Sequence, residues 1–156
     1  MVIWLNRLVR RRAATKVLVG EAAKRLAGVE VVLMLLLAIG GRRNSALRML
    51  VAVGLVYVVS EGLGQAWTRQ RPFARLAEVE SLAPHAADRS FPSRHVASGL
   101  AMAAIGGAEH RRLGQVMSAV AWCLGISRVA AGLHYPSDLA AGAVLGSLIG
   151  HYLRQP

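Results

Sequence analysis

Apolar residues gather in five blocks, at 17–39, 46–64, 96–108, 113–133 and 139–153, with basic connectors at 40–44 and 109–112 and one long polar stretch at 65–94. A soluble helical bundle would carry a polar stripe along each helix to meet water. Here 49–60 and 113–127 hold no charge on any face, and Arg48, Glu61 and Arg154 stand near block ends, where long side chains reach an interface. The pattern predicts an all-α fold, an integral membrane helical bundle of about five spans whose last four helices form a four-helix core. No block offers the roughly 18 uncharged residues of an uninterrupted span. The first is the weakest, since Glu21, Lys24, Arg25 and Glu30 are costly in lipid unless paired, as Glu21 and Arg25 are at i,i+4. It reads as an oblique or partly interfacial helix. Before it, Met1-Val2-Ile3-Trp4-Leu5 runs into Arg7, Arg10, Arg11 and Arg12, an apolar stretch too short for a secretory signal. Residues 1–16 are therefore expected to form an amphipathic interfacial segment, and 17–156 the membrane-embedded domain.

Composition sharpens the class. Basic residues outnumber acidic ones 19 to 8, a formal charge of +11, which on its own suggests nucleic acid. The chain is also 54% hydrophobic, with a mean hydropathy of +0.43 and only 5% aromatic residues. The charge thus sits between apolar blocks, and there is no aromatic platform for bases. The partner is a membrane, not a nucleic acid. Cys123 is the sole cysteine, so neither an intrachain disulfide nor a cysteine metal cluster is possible.

The long polar stretch exceeds the usual length of a connection and is expected to be functional or disordered. With the neighbouring blocks it carries three clusters: Arg71-Pro72, then Pro92-Ser93-Arg94-His95, then Ser127-Arg128 followed by His134 and Asp138. Antiparallel helices bring all three to one end. Arg71, Arg94 and Arg128 would there concentrate guanidinium forks suited to phosphate oxygens. His95 opens a helix, whose free N–H groups favour an anion. Between them, His95 and His134 can supply what a phosphate ester needs for cleavage, a nucleophile and a proton donor, without the sequence pattern saying which is which. Asp138, four residues after His134, is spaced to hold one imidazole nitrogen and leave the other free.

Pro92-Ser93-Arg94-His95 and Ser127-Arg128-x5-His134-x3-Asp138 resemble the second and third signatures of the type 2 phosphatidic acid phosphatase superfamily, and Arg71-Pro72 resembles the end of its first. The third is the specific one. The resemblance implies that His134 attacks phosphorus to form a phosphohistidine, oriented by Asp138, that His95 protonates the leaving oxygen, and that Ser93, Arg71 and Arg128 hold phosphoryl oxygens, without metal or cofactor. Two positions depart from it. Gly64 stands where the family has a lysine seven residues before the arginine, and Arg94 where it has glycine. Arg94 is the first substitute for the missing cation and Arg69 a second.

Other residues read more simply. His85, Asp88 and Arg89 are expected to be solvated loop residues, His110 and His151 to lie at the opposite end, and Glu61 to pair with a site arginine or reach water. Met102, Met117, Trp122 and Cys123 suit packing. Gly142-x3-Gly146-x3-Gly150 indicates close helix contact, within the fold or in a homodimer. The resulting expectation is a membrane phosphatase acting on a lipid phosphate: a polyprenyl diphosphate or phosphosugar, phosphatidic acid or phosphatidylglycerol phosphate. The rival is a catalytically silent scaffold or lipid-binding module of the same fold. The expected location is a bacterial inner or plasma membrane. If the first block spans, the basic residues before it share the site's side and argue for a cytoplasmic site; family precedent for carrier-lipid recycling argues for an extracytoplasmic one, which is the expectation adopted.

Overall fold

The computed structural model describes residues 1–154. In chain order the helices are α1 (Val2–Arg10), α2 (Ala13–Ile39), α3 (Arg43–Ala66), the short α4 (Pro72–Arg75), α5 (Arg94–Glu109), α6 (Arg111–Ala130) and α7 (Pro136–Leu153). Among the described residues there is no strand, only an isolated antiparallel bridge between Gln70 and Arg89. The five apolar blocks become α2, α3, α5, α6 and α7. The expected boundary at residue 16 falls within the first turns of α2.

The long helices run alternately up and down. At one end Arg42, just before α3, meets Glu109 at the close of α5 (Nε to Oε2, 2.9 Å), and the Ser45 hydroxyl donates to the same carboxylate. The 67–93 loop, the 131–135 turn and the start of α5 lie at the other. Helix α5 is central, packed on α3, α6 and α7, while α2 covers α6 and α3. Their core joins Met49, Ala52 and Val56 to Ala101, Ile105 and Met117.

The glycine stripe of α7 is used inside the fold. A Cβ at Gly142 would lie 2.5 Å from the Ser93 carbonyl oxygen, one at Gly146 would run into Ala97, and one at Gly150 would lie 2.7 Å from the Ala101 oxygen. Only glycine lets the α5 and α7 backbones approach this closely, and the approach sets the height of His95 against Asp138.

The outer surface is apolar. Leu35, Leu36, Leu50, Val51, Leu55 and Val58 on α2 and α3 are exposed, as are Val116, Ile126, Val144 and Leu148 on α6 and α7. An apolar belt of this extent is foreign to a water-facing monomer and suits lipid. By length and composition α3 and α6 are long and apolar enough to cross a membrane. At 1.5 Å per residue the 27 residues of α2 reach about 40 Å, more than a hydrocarbon core needs.

Helix α1 does more than lie in an interface. Val2, Asn6 and Val9 form its buried face, and Asn6 Nδ2 donates to the carbonyls of Glu80 (3.0 Å) and Ala130 (2.9 Å) while its Oδ1 accepts from the Glu80 N–H (3.1 Å). Arg10 and Lys16 add ion pairs to Glu80. The N-terminal helix is thereby docked at the same end as the site.

Candidate active site

Five helix ends and one ordered loop build the site. The 67–93 loop is tied along its length to the turn after α6 and to the start of α7: Phe73 N–H donates to Gly132 O (3.1 Å), Leu82 N–H to Ala131 O (3.1 Å) and Ser93 N–H to Asp138 O (3.0 Å). Gly132, at φ +76°, makes the turn, where a side chain would also strike Val79 and the Glu80 oxygen. The stretch is thus folded against its neighbours, and it contributes residues to the cavity described below.

His134 projects from the 131–135 turn and is almost fully buried. Its Nδ1 lies 2.8 Å from the Ser90 carbonyl oxygen. A carbonyl only accepts, so Nδ1 carries the proton and Nε2 keeps its lone pair. Nε2 in turn lies 3.5 Å from Arg71 Nη1, which donates to Leu133 O at 2.9 Å. Burial is the main influence on this imidazole, and it disfavours the charged form. The Asp138 carboxylate pulls the other way, while the Arg128 and Arg71 charges reinforce burial, bringing the pKa down from 6.5 to about 4.

Here the expected hydrogen bond from His134 to Asp138 is corrected. Asp138 Oδ2 is 3.7 Å from Nδ1, too far to accept a hydrogen bond, and the orienting acceptor is the Ser90 carbonyl instead. The Asp138 carboxylate is fully buried at the third residue of α7, where Oδ2 accepts the Tyr135 N–H (2.8 Å) and Oδ1 accepts from Arg69 Nη1 (2.8 Å). Arg69 also donates to Ser137 and lies over the Tyr135 ring, 3.9 Å from its centroid. It is committed to the start of α7 and is not the missing phosphate cation.

Arg71, Arg94, His95, Arg128 and His134 line one cavity of about 70 Å³. That volume suits a small polyatomic anion, being a few times the 10–15 Å³ needed to seat one water. Arg128 is buried, with Nη1 donating to Ala23 O of α2 (2.9 Å) and Nε unpartnered. Arg94 lies 5.3 Å from the Tyr57 centroid. Ser93 is not among the lining residues: it is fully buried, with Oγ unpartnered, against Gly142 on α7.

Three residues set aside as solvated also line this cavity: His85, Asp88 and Arg89. Asp88 Oδ1 accepts from Arg71 Nε at 2.6 Å, and Arg89 donates to Glu61. Burial opposes ionisation of Asp88, but the Arg71 hydrogen bond and charge prevail and hold its carboxyl below the usual range. Burial, followed by the Arg71 charge, lowers His85. The available signal was position: an acid and a base directly precede Ser90-Phe91-Pro92-Ser93.

The chain belongs to the PAP2 superfamily, whose family model matches residues 45–155. Among curated relatives, the bacitracin transport permease protein BcrC of Bacillus licheniformis is 36% identical over 104 residues, covering 64% of this chain and 51% of that protein. Undecaprenyl-diphosphatase BcrC of Bacillus subtilis (strain 168) is 38% identical over 80 residues, covering 51% and 41% respectively. The chain spans about half the length of the curated relatives it matches. Among solved structures, LpxE of Aquifex aeolicus aligns with a TM-score of 0.79 at 25% identity, over 96% of this chain and 92% of that one. A transmembrane PAP2-type phosphatidylglycerolphosphate phosphatase from Bacillus subtilis shares the fold, with a TM-score of 0.61 at 21% identity over 98% and 90%. The membrane bundle and the family expected from three short signatures are both upheld.

Proposed function

We propose that the protein is a membrane-bound lipid phosphate phosphatase that works through a phosphohistidine. The observation that carries this is the His134 imidazole, with Nδ1–H fixed on the Ser90 carbonyl and Nε2 facing Arg71 inside a cavity shared with His95, Arg94 and Arg128. Nε2 attacks phosphorus, the bond from phosphorus to the lipid oxygen breaks, and His95 gives that oxygen its proton. A water then attacks the phosphohistidine, His95 takes the water's proton, and the N–P bond breaks to release inorganic phosphate. Arg71, Arg94 and Arg128 stabilise the charge on the equatorial oxygens. Asp138 supports His134 through its charge and by holding the start of α7.

An amphiphilic substrate is favoured by the setting of His95. It also lines a mainly apolar cavity of about 310 Å³ between α2, α3 and α5, with Met34, Val53, Tyr57, Met102 and the buried Glu30, so a leaving group protonated there has a largely apolar space beside it. The relatives' names point to undecaprenyl diphosphate and phosphatidylglycerolphosphate as the first substrates to try. A silent scaffold would have no use for a neutral buried imidazole among arginines.

The site is assigned to the extracytoplasmic face of the membrane, with Arg42, Arg43, Arg48, Arg111, Arg112 and Arg154 at the cytoplasmic end. The basic residues of α1 and the start of α2 pull the other way under the positive-inside rule. Of these, Arg7, Arg10 and Lys16 are engaged by Glu78 and Glu80. Labelling of single cysteines at Gly41 and Ala87 in a Cys123→Ala background decides it; loop labelling only from the cytoplasmic side reverses the assignment.

Purified protein in detergent is expected to hydrolyse a soluble phosphate ester, to continue in EDTA, to be inhibited by vanadate and to lose turnover in His134→Ala. Near-normal activity of His134→Ala, or dependence on an added divalent ion, would refute the mechanism.

A further inference from the structure

The family resemblance puts a lysine where this chain has Gly64, and the space such a side chain would enter is already occupied. A Cβ at Gly64 would lie 3.1 Å from the Phe91 carbonyl oxygen and 3.7 and 3.8 Å from Nε and Cδ of Arg89. Arg89 comes to this point from the 67–93 loop, whereas a lysine would come from α3. Its backbone is fixed by the bridge to Gln70. On either side, Asp88 accepts from Arg71, and Ser90 donates its N–H to Arg69 O (2.8 Å) while its carbonyl holds His134 Nδ1 (2.8 Å). The position of Arg89 is therefore coupled to the nucleophile and to Arg71 through adjacent residues.

The side chain ends in the cavity that holds Arg71, His95, Arg128 and His134, where it donates to Glu61. Both partners keep a third to a half of their side-chain surface in water. An incoming phosphate can therefore draw the guanidinium away while Glu61 turns to solvent. Arg94 lies over Tyr57 and Arg69 over Tyr135, and neither is among the groups nearest to the Gly64 space.

We propose that Arg89 is a phosphate-binding residue of this site, supplying from the loop the cation that a lysine at position 64 would supply from α3. The proposal rests on the phosphatase reading. It makes the departure at Gly64 a transfer of charge from a helix to a loop, and it replaces Arg94 as the compensating residue. A guanidinium in this place can engage two phosphoryl oxygens at once, which an ammonium cannot do with the same geometry.

The test combines hydrolysis of a soluble phosphate ester with binding of orthovanadate, each measured on the purified full chain. Arg89→Ala is expected to lower kcat/KM about a hundredfold, the scale of one removed charged donor, and to weaken orthovanadate binding at least tenfold. Arg89→Gln, which keeps a donor for Glu61 but no charge, is expected to match it and serves should the alanine variant not fold. Gly64→Lys should recover at least tenfold of the rate when added to Arg89→Ala but lower the rate of the parent, where two cations contend for one space. Gly64→Ala in Arg89→Ala should recover nothing. Neutral substitution of Arg89 that leaves both readouts within threefold of the parent overturns the proposal, as does a Gly64→Lys effect of the same sign in both backgrounds. A parent without turnover would sink the phosphatase reading instead, and the orthovanadate titration would still decide whether Arg89 holds the oxyanion.

Discussion

His134→Gln isolates a pH effect whose size follows from burial. In the folded protein His134 stays neutral down to about pH 4, whereas the unfolded chain takes up that proton near its ordinary 6.5. Between those values the unfolded state binds more protons than the folded one, so stability falls as the pH is lowered through this window and is unaffected by His134 above it. A displacement from 6.5 to about 4 corresponds to about 3 kcal/mol, with no discount for solvent because the imidazole is almost fully buried. In a chain of this size that is roughly 6 to 12 °C in Tm.

The assay is thermal unfolding in detergent at pH 7.5 and pH 4.5. At pH 4.5, just above the folded-state value, the parent should lose about three quarters of that margin relative to His134→Gln, which has no proton to take up. Other groups titrate in the same range, His85 and Asp88 among them, but they are common to both proteins and cancel in the difference. Profiles that run parallel to within 2 °C would show that His134 is not held neutral by burial, and the account of a free Nε2 lone pair would fail with it.

Three further outcomes are expected. Asp138→Asn leaves Nδ1 of His134 on the Ser90 carbonyl but takes a full charge from Arg69 and the start of α7, so stability should fall by about 2 kcal/mol together with turnover; an unchanged Tm refutes this. Asn6→Ala strands the Glu80 N–H and the Glu80 and Ala130 carbonyls, which should cost about 2 kcal/mol and open the α1–α2 junction to limited proteolysis, against parent-like protection if α1 is only loosely attached. Gly146→Leu drives a side chain into the Ala97 backbone and should lower stability by about 3 kcal/mol or prevent folding, while Val144→Leu on the exposed face of the same helix is tolerated; equal effects would mean that the stripe is not the α5–α7 contact.

What the sequence made legible followed from periodicity and spacing. Uncharged runs such as 49–60 could only be lipid-facing or buried helix, and the alternation of helices then carried Arg71, His95 and His134 to one end. What it hid depended on backbone. The Ser90 carbonyl that fixes the His134 tautomer has no side-chain signature, and the i,i+4 spacing of Asp138 suggested a partner that the start of α7 keeps 3.7 Å away. Arg89 was hidden for a related reason. Its side chain enters the site only because the loop folds back to bridge Gln70, and composition alone cannot tell such a loop from a solvated one. Asn6 carried a readable hint, a lone amide on the apolar face of α1, but its acceptors are carbonyls of distant segments.

The arrangement of arginines explains why so short a chain devotes 27 residues to the 67–93 loop. Holding a long side chain in one rotamer costs up to about 2 kcal/mol each, and like charges crowded in a small cavity repel. A helical bundle offers few acceptors to offset this, because its carbonyls are already taken. Each cation is instead held by a group distant from it in the chain. Arg71 is held by Asp88 and the Leu133 carbonyl, Arg89 by Glu61, Arg128 by the Ala23 carbonyl and Arg94 by the Tyr57 ring. Two of these tethers, Asp88 and Glu61, are carboxylates that remain half exposed. They neutralise the guanidinium groups they pair with and can return to water when a phosphate arrives, so the donors are in place before the charge they serve develops. Shortening the loop would remove Asp88, Arg89 and Ser90 together, and with them the set of Arg71, the added cation and the orientation of His134.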